Sequence, residues 1–447
     1  MTRRSPVPLL VVLVVALAGV GAISAVSSSA NSPDAPNAFT ISAPIESTAF
    51  YCTGLSNASG GVGGVVRMVN TTSSARALTI EVGSNTGQIR QIQREIGAYG
   101  VMSINPAAVV SGESFGVGVT VTGGGVFASE VTDSSTAVAP CDSHGVTQWF
   151  GAGFNTTVGS KAYISLYNPS STAAVLNIST DSPAGYSAPA RFQGLAIGAH
   201  AQAEINLGTQ IVNSQNVGVH VDVLRGALVI NGVQLSGSLV SFNPGMTDVV
   251  NDAVFPLVTT VSGAKAQIRV ANPGSTPATV TFSVSLASFS IPPQTLTVGA
   301  YSSAAETITP NSAIPAHGYA VVHMRSTAPV YAALATGAGS DIALSSPGTP
   351  TSNYLVGDFA KVGFDAAAVT NTSTSSLTLH FANAVGSSAG GTVRLGAGQT
   401  ATISSLFPPA LHGTYVFVTA SAPALLVSLT LPSRPAGQLV VSPLDGR

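Results

Sequence analysis

Charge is what this chain has least of. Of 447 residues only 8% are Asp, Glu, Lys or Arg, and just three are Lys, against about 25% charged in an ordinary soluble protein. No run of basic residues occurs, which removes the electrostatic footprint of a nucleic-acid binder. Tryptophan occurs once, at Trp149. The seven histidines fall in no HExxH or zinc spacing, and the 18 carboxylates form no D-x-D-x-D calcium loop. No cofactor or metal is therefore expected. Helix-forming stretches are missing as well: Val and Thr suit strands, while 47 Gly and 27 Pro interrupt helices and make turns.

The exception is the N-terminus. Arg3 and Arg4 precede an uncharged apolar stretch from Val7 to Val26, about 30 Å long as a helix and enough to cross a bilayer. The arginines stay inside, so the rest of the chain is expected outside the cytoplasm. The run exceeds the usual signal-peptide core. That favours an uncleaved membrane anchor over 1–30, with a signal peptide cut between Ala22 and Ala30 as the alternative. Residues 31–47 read as a linker. The two cysteines, Cys52 and Cys141, are then in an oxidising compartment and are expected to be bonded.

What fills the chain is repetition. An apolar strand ending in Asn occurs as Val65-Val66-Arg67-Met68-Val69-Asn70, as Tyr163 to Asn168-Pro169, as Gln267 to Asn272-Pro273 and as Ala367 to Asn371. The Asn-to-Asn steps are 98, 104 and 99 residues, the size of one small β-domain and too long for a solenoid unit. Within each step, six or seven short alternating strands are separated by turn signals. In the third they end with Tyr319–Arg325, a turn at Ser326–Pro329 and Val330–Leu334. The expectation is an all-β chain of four tandem immunoglobulin-like β-sandwiches, over 48–143, 144–246, 247–350 and 351–447. The joining stretches are short and not polar, so the repeats are expected to form a semi-rigid array.

Candidate chemistry is thin. His220 and Asp222 share one face of a strand opposite a row of valines, and a His beside a carboxylate could serve a base or a metal. A solvated outer face is the simpler reading, because the matching strands of the other repeats lack the pair. Gly386-Ser387-Ser388-Ala389-Gly390 matches a nucleophile elbow, with no helix pattern around it. Asp358 and Asp365 flank Lys361, and Glu95, Glu113 and Glu130 lie in the first repeat, without forming a marked carboxylate pair. Trp149 could be a sugar platform; a core plug near the boundary of the first two repeats fits better, because every repeat opens with an apolar or aromatic residue. Asn57, Asn70, Asn155, Asn177 and Asn371 begin N-glycan acceptor tripeptides.

The block of Cys141, Trp149-Phe150-Gly151-Ala152-Gly153, Tyr163 to Asn168-Pro169 and Ala173-Ala174-Val175 resembles an uncharacterised family of actinobacterial envelope proteins with repeated β-domains. The resemblance implies a secreted or membrane-anchored chain and brings no catalytic residue with it. The expected function is a non-catalytic protein of the cell envelope. Its sandwiches would serve as spacers or as surfaces for cell-wall glycan or another envelope protein. A secreted hydrolase of envelope polysaccharide is the alternative. Trp149, His220 and Asp222 are the residues expected at any ligand contact.

Overall fold

The computed structural model describes residues 48–57, 61–133, 137–237, 239–258, 265–286, 290–308, 319–338, 341–348, 352–357, 367–385, 390–402, 415–422, 425–429 and 440–443. The expected anchor and linker, the Asp358–Lys361–Asp365 group and most of the Gly386–Gly390 stretch lie outside these residues. Among the described residues no helix is long and apolar enough to cross a membrane.

The chain is all-β, four tandem immunoglobulin-like sandwiches. The first shows the plan: β1 (Ala49–Ser56), β2 (Gly64–Asn70), β3 (Arg76–Ser84), β4 (Ile89–Ile96), β5 (Val101–Ile104), β6 (Ser114–Val121), β7 (Val126–Thr132) and β8 (Val138–Pro140). One sheet runs β1-β6-β3-β4 and the other β5-β2-β7-β8, with every pairing antiparallel. The β2–β5 and β3–β6 pairs correspond to the B–E and C–F pairs of an immunoglobulin domain. The first and seventh strands differ, joining β6 and β2 respectively. The second and third repeats keep both sheets, and the fourth keeps the first sheet and three strands of the second.

Alternation explains the burial. Val117, Val119 and Val121 of β6, Leu78, Ile80 and Val82 of β3, and Val66 and Met68 of β2 meet between the sheets. Val217, Val219, Val221 and Val223 do the same in the second repeat. Cys52 and Cys141 are bonded inside the first core. Closing a loop of 89 residues contributes about 4–5 kcal/mol in the chain-entropy account. The expected turn at Ser326–Pro329 is not formed. Tyr319–Ala338 is one strand of 20 residues whose first half pairs in one sheet and second half in the other. The other repeats break this crossing; in the first, Gly123, Gly124 and Gly125 do so with positive φ.

The repeated Asn closes each sandwich at one corner. Asn70, Asn168, Asn272 and Asn371 are fully buried at the end of the second strand. Asn168 Nδ2 donates to the carbonyls of Thr172 (2.8 Å), Ile197 (3.1 Å) and Gly198 (2.8 Å). Its Oδ1 accepts from Ser170 N and Oγ. Asn70 makes the same set with Ser74, Ile96, Gly97 and Thr72, and Asn371 with Ser375, Leu395, Gly396 and Ser373. Asn272 does so with Thr276, Val298, Gly299 and Gly274. The accepting glycine always opens a Gly-Ala-x turn whose third residue is left-handed: Tyr99, His200, Tyr301 and Gly398, φ 53°, 51°, 50° and 64°.

Asn168→Ala strands three carbonyls and one amide in the interior, a loss of about 2–4 kcal/mol. Chemical denaturation should show a clearly lower midpoint for this variant and little change for Asn177→Ala, whose side chain is half-exposed.

Candidate functional site

The three residues singled out from sequence sit close together in the second sandwich. Trp149 lies on its first strand, Gln148–Phe154, and pairs with Val221; Phe150 pairs with His220 and Gln148 with Asp222. Trp149 is only 2% exposed. Its ring is 6.4 Å from that of Phe154, and Nε1 donates to the Pro244 carbonyl at 2.7 Å. It plugs the end of the second sandwich's own core rather than the boundary with the first, and offers no face to a ligand. His220 stacks on Phe150 at 4.4 Å. Burial lowers its pKa and Asp222 opposes that by charge. Its Nε2 is buried without a partner.

The polar chemistry of the chain gathers instead between sandwiches. Where the first meets the second, Tyr167 is fully buried, and its hydroxyl donates to Glu81 Oε1 at 3.1 Å. His200 Nδ1 donates to the same oxygen at 2.6 Å. The tyrosine ring lies flat against β6: a Cβ on Gly116 would meet its carbons at 2.0 Å. Beside it Thr53 donates to Gln202, Gln202 donates to Ser165, and Ser165 closes the triangle back to Thr53, all buried at 2.6–2.9 Å. Such closed chains of hydroxyl and amide polarise one another in a low dielectric.

The junction of the second and third sandwiches repeats the device. The Tyr331 hydroxyl donates to Asp181 Oδ2 at 2.7 Å, with both residues buried. Burial pushes the Asp181 carboxyl up to about 6, opposed by that bond, and pushes the tyrosine well above its ordinary value. Asp181 pairs with Gly218 as Glu81 pairs with Gly118, and a Cβ on Gly218 would meet the Tyr331 hydroxyl at 2.5 Å. Arg269, three residues before its corner Asn, donates to the Gly153 carbonyl at 2.6 Å; burial lowers its pKa to about 10.

Two further carboxylates are perturbed. Burial, then the Glu113 charge, raises Glu204 to about 7. Glu130, on β7, is buried beside Gly54 of its own repeat and Asn231 of the next. Burial and Asp142 push it up to about 8, opposed by Asn231. Sequence reasoning noted Glu130 and passed over Glu81, Asp181 and Tyr331. Their signal was an acid facing a glycine on the neighbouring strand, visible only once the register is known.

Three of the five glycan-acceptor tripeptides have a structural origin. In Asn70-Thr71-Thr72 and Asn371-Thr372-Ser373 the hydroxyl two residues on donates to the Asn oxygen, and the nitrogen a glycan would occupy is engaged in the interior. Asn155 and Thr157 make the same closure.

Two outcomes follow from these surroundings. Trp149→Ala should cost about 3–5 kcal/mol, read as a lower denaturation midpoint. Glu130 ionises near 4.5 when unfolded and near 8 when folded. Between those values the unfolded state holds fewer protons, so rising pH erodes stability until about pH 8. Glu130→Gln removes that slope. Its unfolding free energy from chemical denaturation should exceed wild type at pH 8.5 by at least about 1 kcal/mol, with the gap shrinking towards pH 4.5.

No curated protein matches the chain. Among solved structures, the crystal structure of a tetra-tandem repeat in the extending region of a large adhesion protein is similar over 84% of this chain and 96% of that one, at 14% identity and a TM-score of 0.14. The family model of DUF5719, a family of unknown function, matches residues 125–406, and the chain belongs to that family.

Proposed function

We propose that this protein is a non-catalytic component of a cell envelope, outside the cytoplasm. Its N-terminal segment holds it to the membrane, and its sandwiches act as spacers or present surfaces to cell-wall glycan or another envelope protein. The observation that supports this most is where the withdrawn polar groups lie. Glu81 with Tyr167 and His200, Asp181 with Tyr331, and Arg269 with Gly153 all join one sandwich to the next. Catalytic sites place such groups in a cleft where a substrate can reach them; here they bind the chain to itself. The envelope placement rests on the N-terminal sequence and on the low charge of the whole chain.

The hydrolase reading draws on one feature, the unpartnered Nε2 of His220 beside Asp222. One experiment separates the two. The full chain is applied to purified peptidoglycan sacculi and a polysaccharide array, with release of reducing sugar followed in parallel. Retention without turnover is the expected result. Turnover that vanishes in His220→Ala or Asp222→Ala would replace the scaffold by an enzyme.

A further inference from the structure

Each junction between sandwiches uses the same two faces. The first sandwich meets the second through β1 and β6, against the second's strands Ser160–Tyr167, Gln202–Asn206 and Val229–Ser236. Those three are the second repeat's counterparts of β2, β5 and β7. The second meets the third mainly through Gln148–Phe154 and Ala174–Ser182, against Lys265–Asn272, Ser302–Ile308 and Tyr319–Ala338, with Leu239–Asn243 packing beside them on Asp341–Ser345. The third meets the fourth through Val250–Val258 and Tyr319–Ala338, against Ala367–Asn371, Thr400–Thr402 and Leu425–Leu429. In every case strands of the β1-β6-β3-β4 sheet of one sandwich cover the β5-β2-β7-β8 sheet of the next, and at the second junction the edge strand Leu239–Asn243 adds to the contact. In a linear array this leaves two faces bare, β5-β2-β7-β8 on the first sandwich and the β1-β6 counterpart on the fourth.

Neither is bare. On β7, Phe127 and Val131 lie on the face opposite the core residues Val126 and Ala128, yet they are 8% and 2% exposed. In the fourth repeat Val416 and Val418 are fully buried, and Tyr415 and Phe417, on the other face of the strand, are still only 8% and 6% exposed. The two sets touch. Phe127 and Phe417 stack edge to face, with ring centroids 6.3 Å apart. Arg67 lies beside the Tyr415 hydroxyl. The last described strand, Val440–Pro443, runs against β8. Arg67 stands three residues before Asn70, the position from which Ser165 and Arg269 reach the preceding sandwich.

We infer that the four sandwiches close into a ring, one heterologous contact used four times, with the fourth sandwich docked on the first. A head-to-tail contact makes either an open string or a closed ring, according to whether its rotation returns to the start; here it returns within one chain. The β1–β6 side of each such sheet is then consumed internally, and a partner meets the β3–β4 side, edge strands and turns. The inference goes beyond the scaffold reading and does not depend on which partner is bound.

The test uses the full chain. Phe127→Cys with Phe417→Cys, oxidised and digested, should yield a peptide pair joining the first and fourth repeats within a monomer, beside the native Cys52–Cys141 pair. A chain that gives no such pair, or gives it only between two molecules, would overturn the ring. Because two new cysteines could impair folding, Arg67→Ala, Tyr415→Phe and the double variant supply a second measurement. With the contact present, the double variant's thermal midpoint falls by less than the two single shifts added together. Additive shifts would overturn it.

Discussion

The buried asparagine at the end of each second strand is the constraint on which the rest depends. A sandwich must turn its chain from one sheet to the other, and at that corner backbone carbonyls point inward with no strand to receive them. One carboxamide answers three of them and one amide at once. No apolar side chain can do this, and an Asp would bring a carboxylate up against carbonyls. The cost of leaving such groups unpaired, about 1–3 kcal/mol each, explains why the residue recurs at steps near 100 while most of the surrounding strand changes. Ordering the corner also fixes where the Gly-Ala-x turn falls. Through Tyr301 and His200, that turn reaches the neighbouring sandwich: Tyr301 packs 5.8 Å from Tyr186, and His200 binds Glu81.

Much of this was legible in the chain. The Asn spacing marked four repeats, the valine alternation marked the inner face of the sixth strand, and the isolated cysteine pair marked the disulfide. Those signals are local or depend on only a few residues. The junctions were not legible, because they depend on register between strands and on packing between repeats. Glu81 and Asp181 look like ordinary surface acids until Gly118 and Gly218 are seen opposite them. Trp149 was expected as a core plug near the boundary of the first two repeats, because every repeat opens with an apolar or aromatic residue. Its side chain points into its own core: Trp149 faces Val221, and a bulge between Gly151 and Phe154 brings the Phe154 ring to the same face, opposite Val217. The Ser326–Pro329 stretch looked like a turn by composition; it stays within one long strand, as an irregularity where the ladder to Val250–Val258 skips from Arg325 to Val330.

The Gly-Ala-x turn was readable too. It occurs at Gly97, Gly198, Gly299 and Gly396, 25 to 30 residues after each corner Asn. A bulky residue in the left-handed region is costly, and its recurrence at three of four turns marks a position held by its surroundings.

The contact between Phe127 and Phe417 has a consequence in time. A polypeptide emerges from its N-terminus, so the face carrying Arg67 and Phe127 exists long before Tyr415 and Phe417 are made. Nearly 300 residues of synthesis separate the two rings. Throughout that interval an apolar sheet face stands uncovered, and the nearest complementary surface can belong to a neighbouring nascent chain. Few charged residues guard the nascent chain against such encounters.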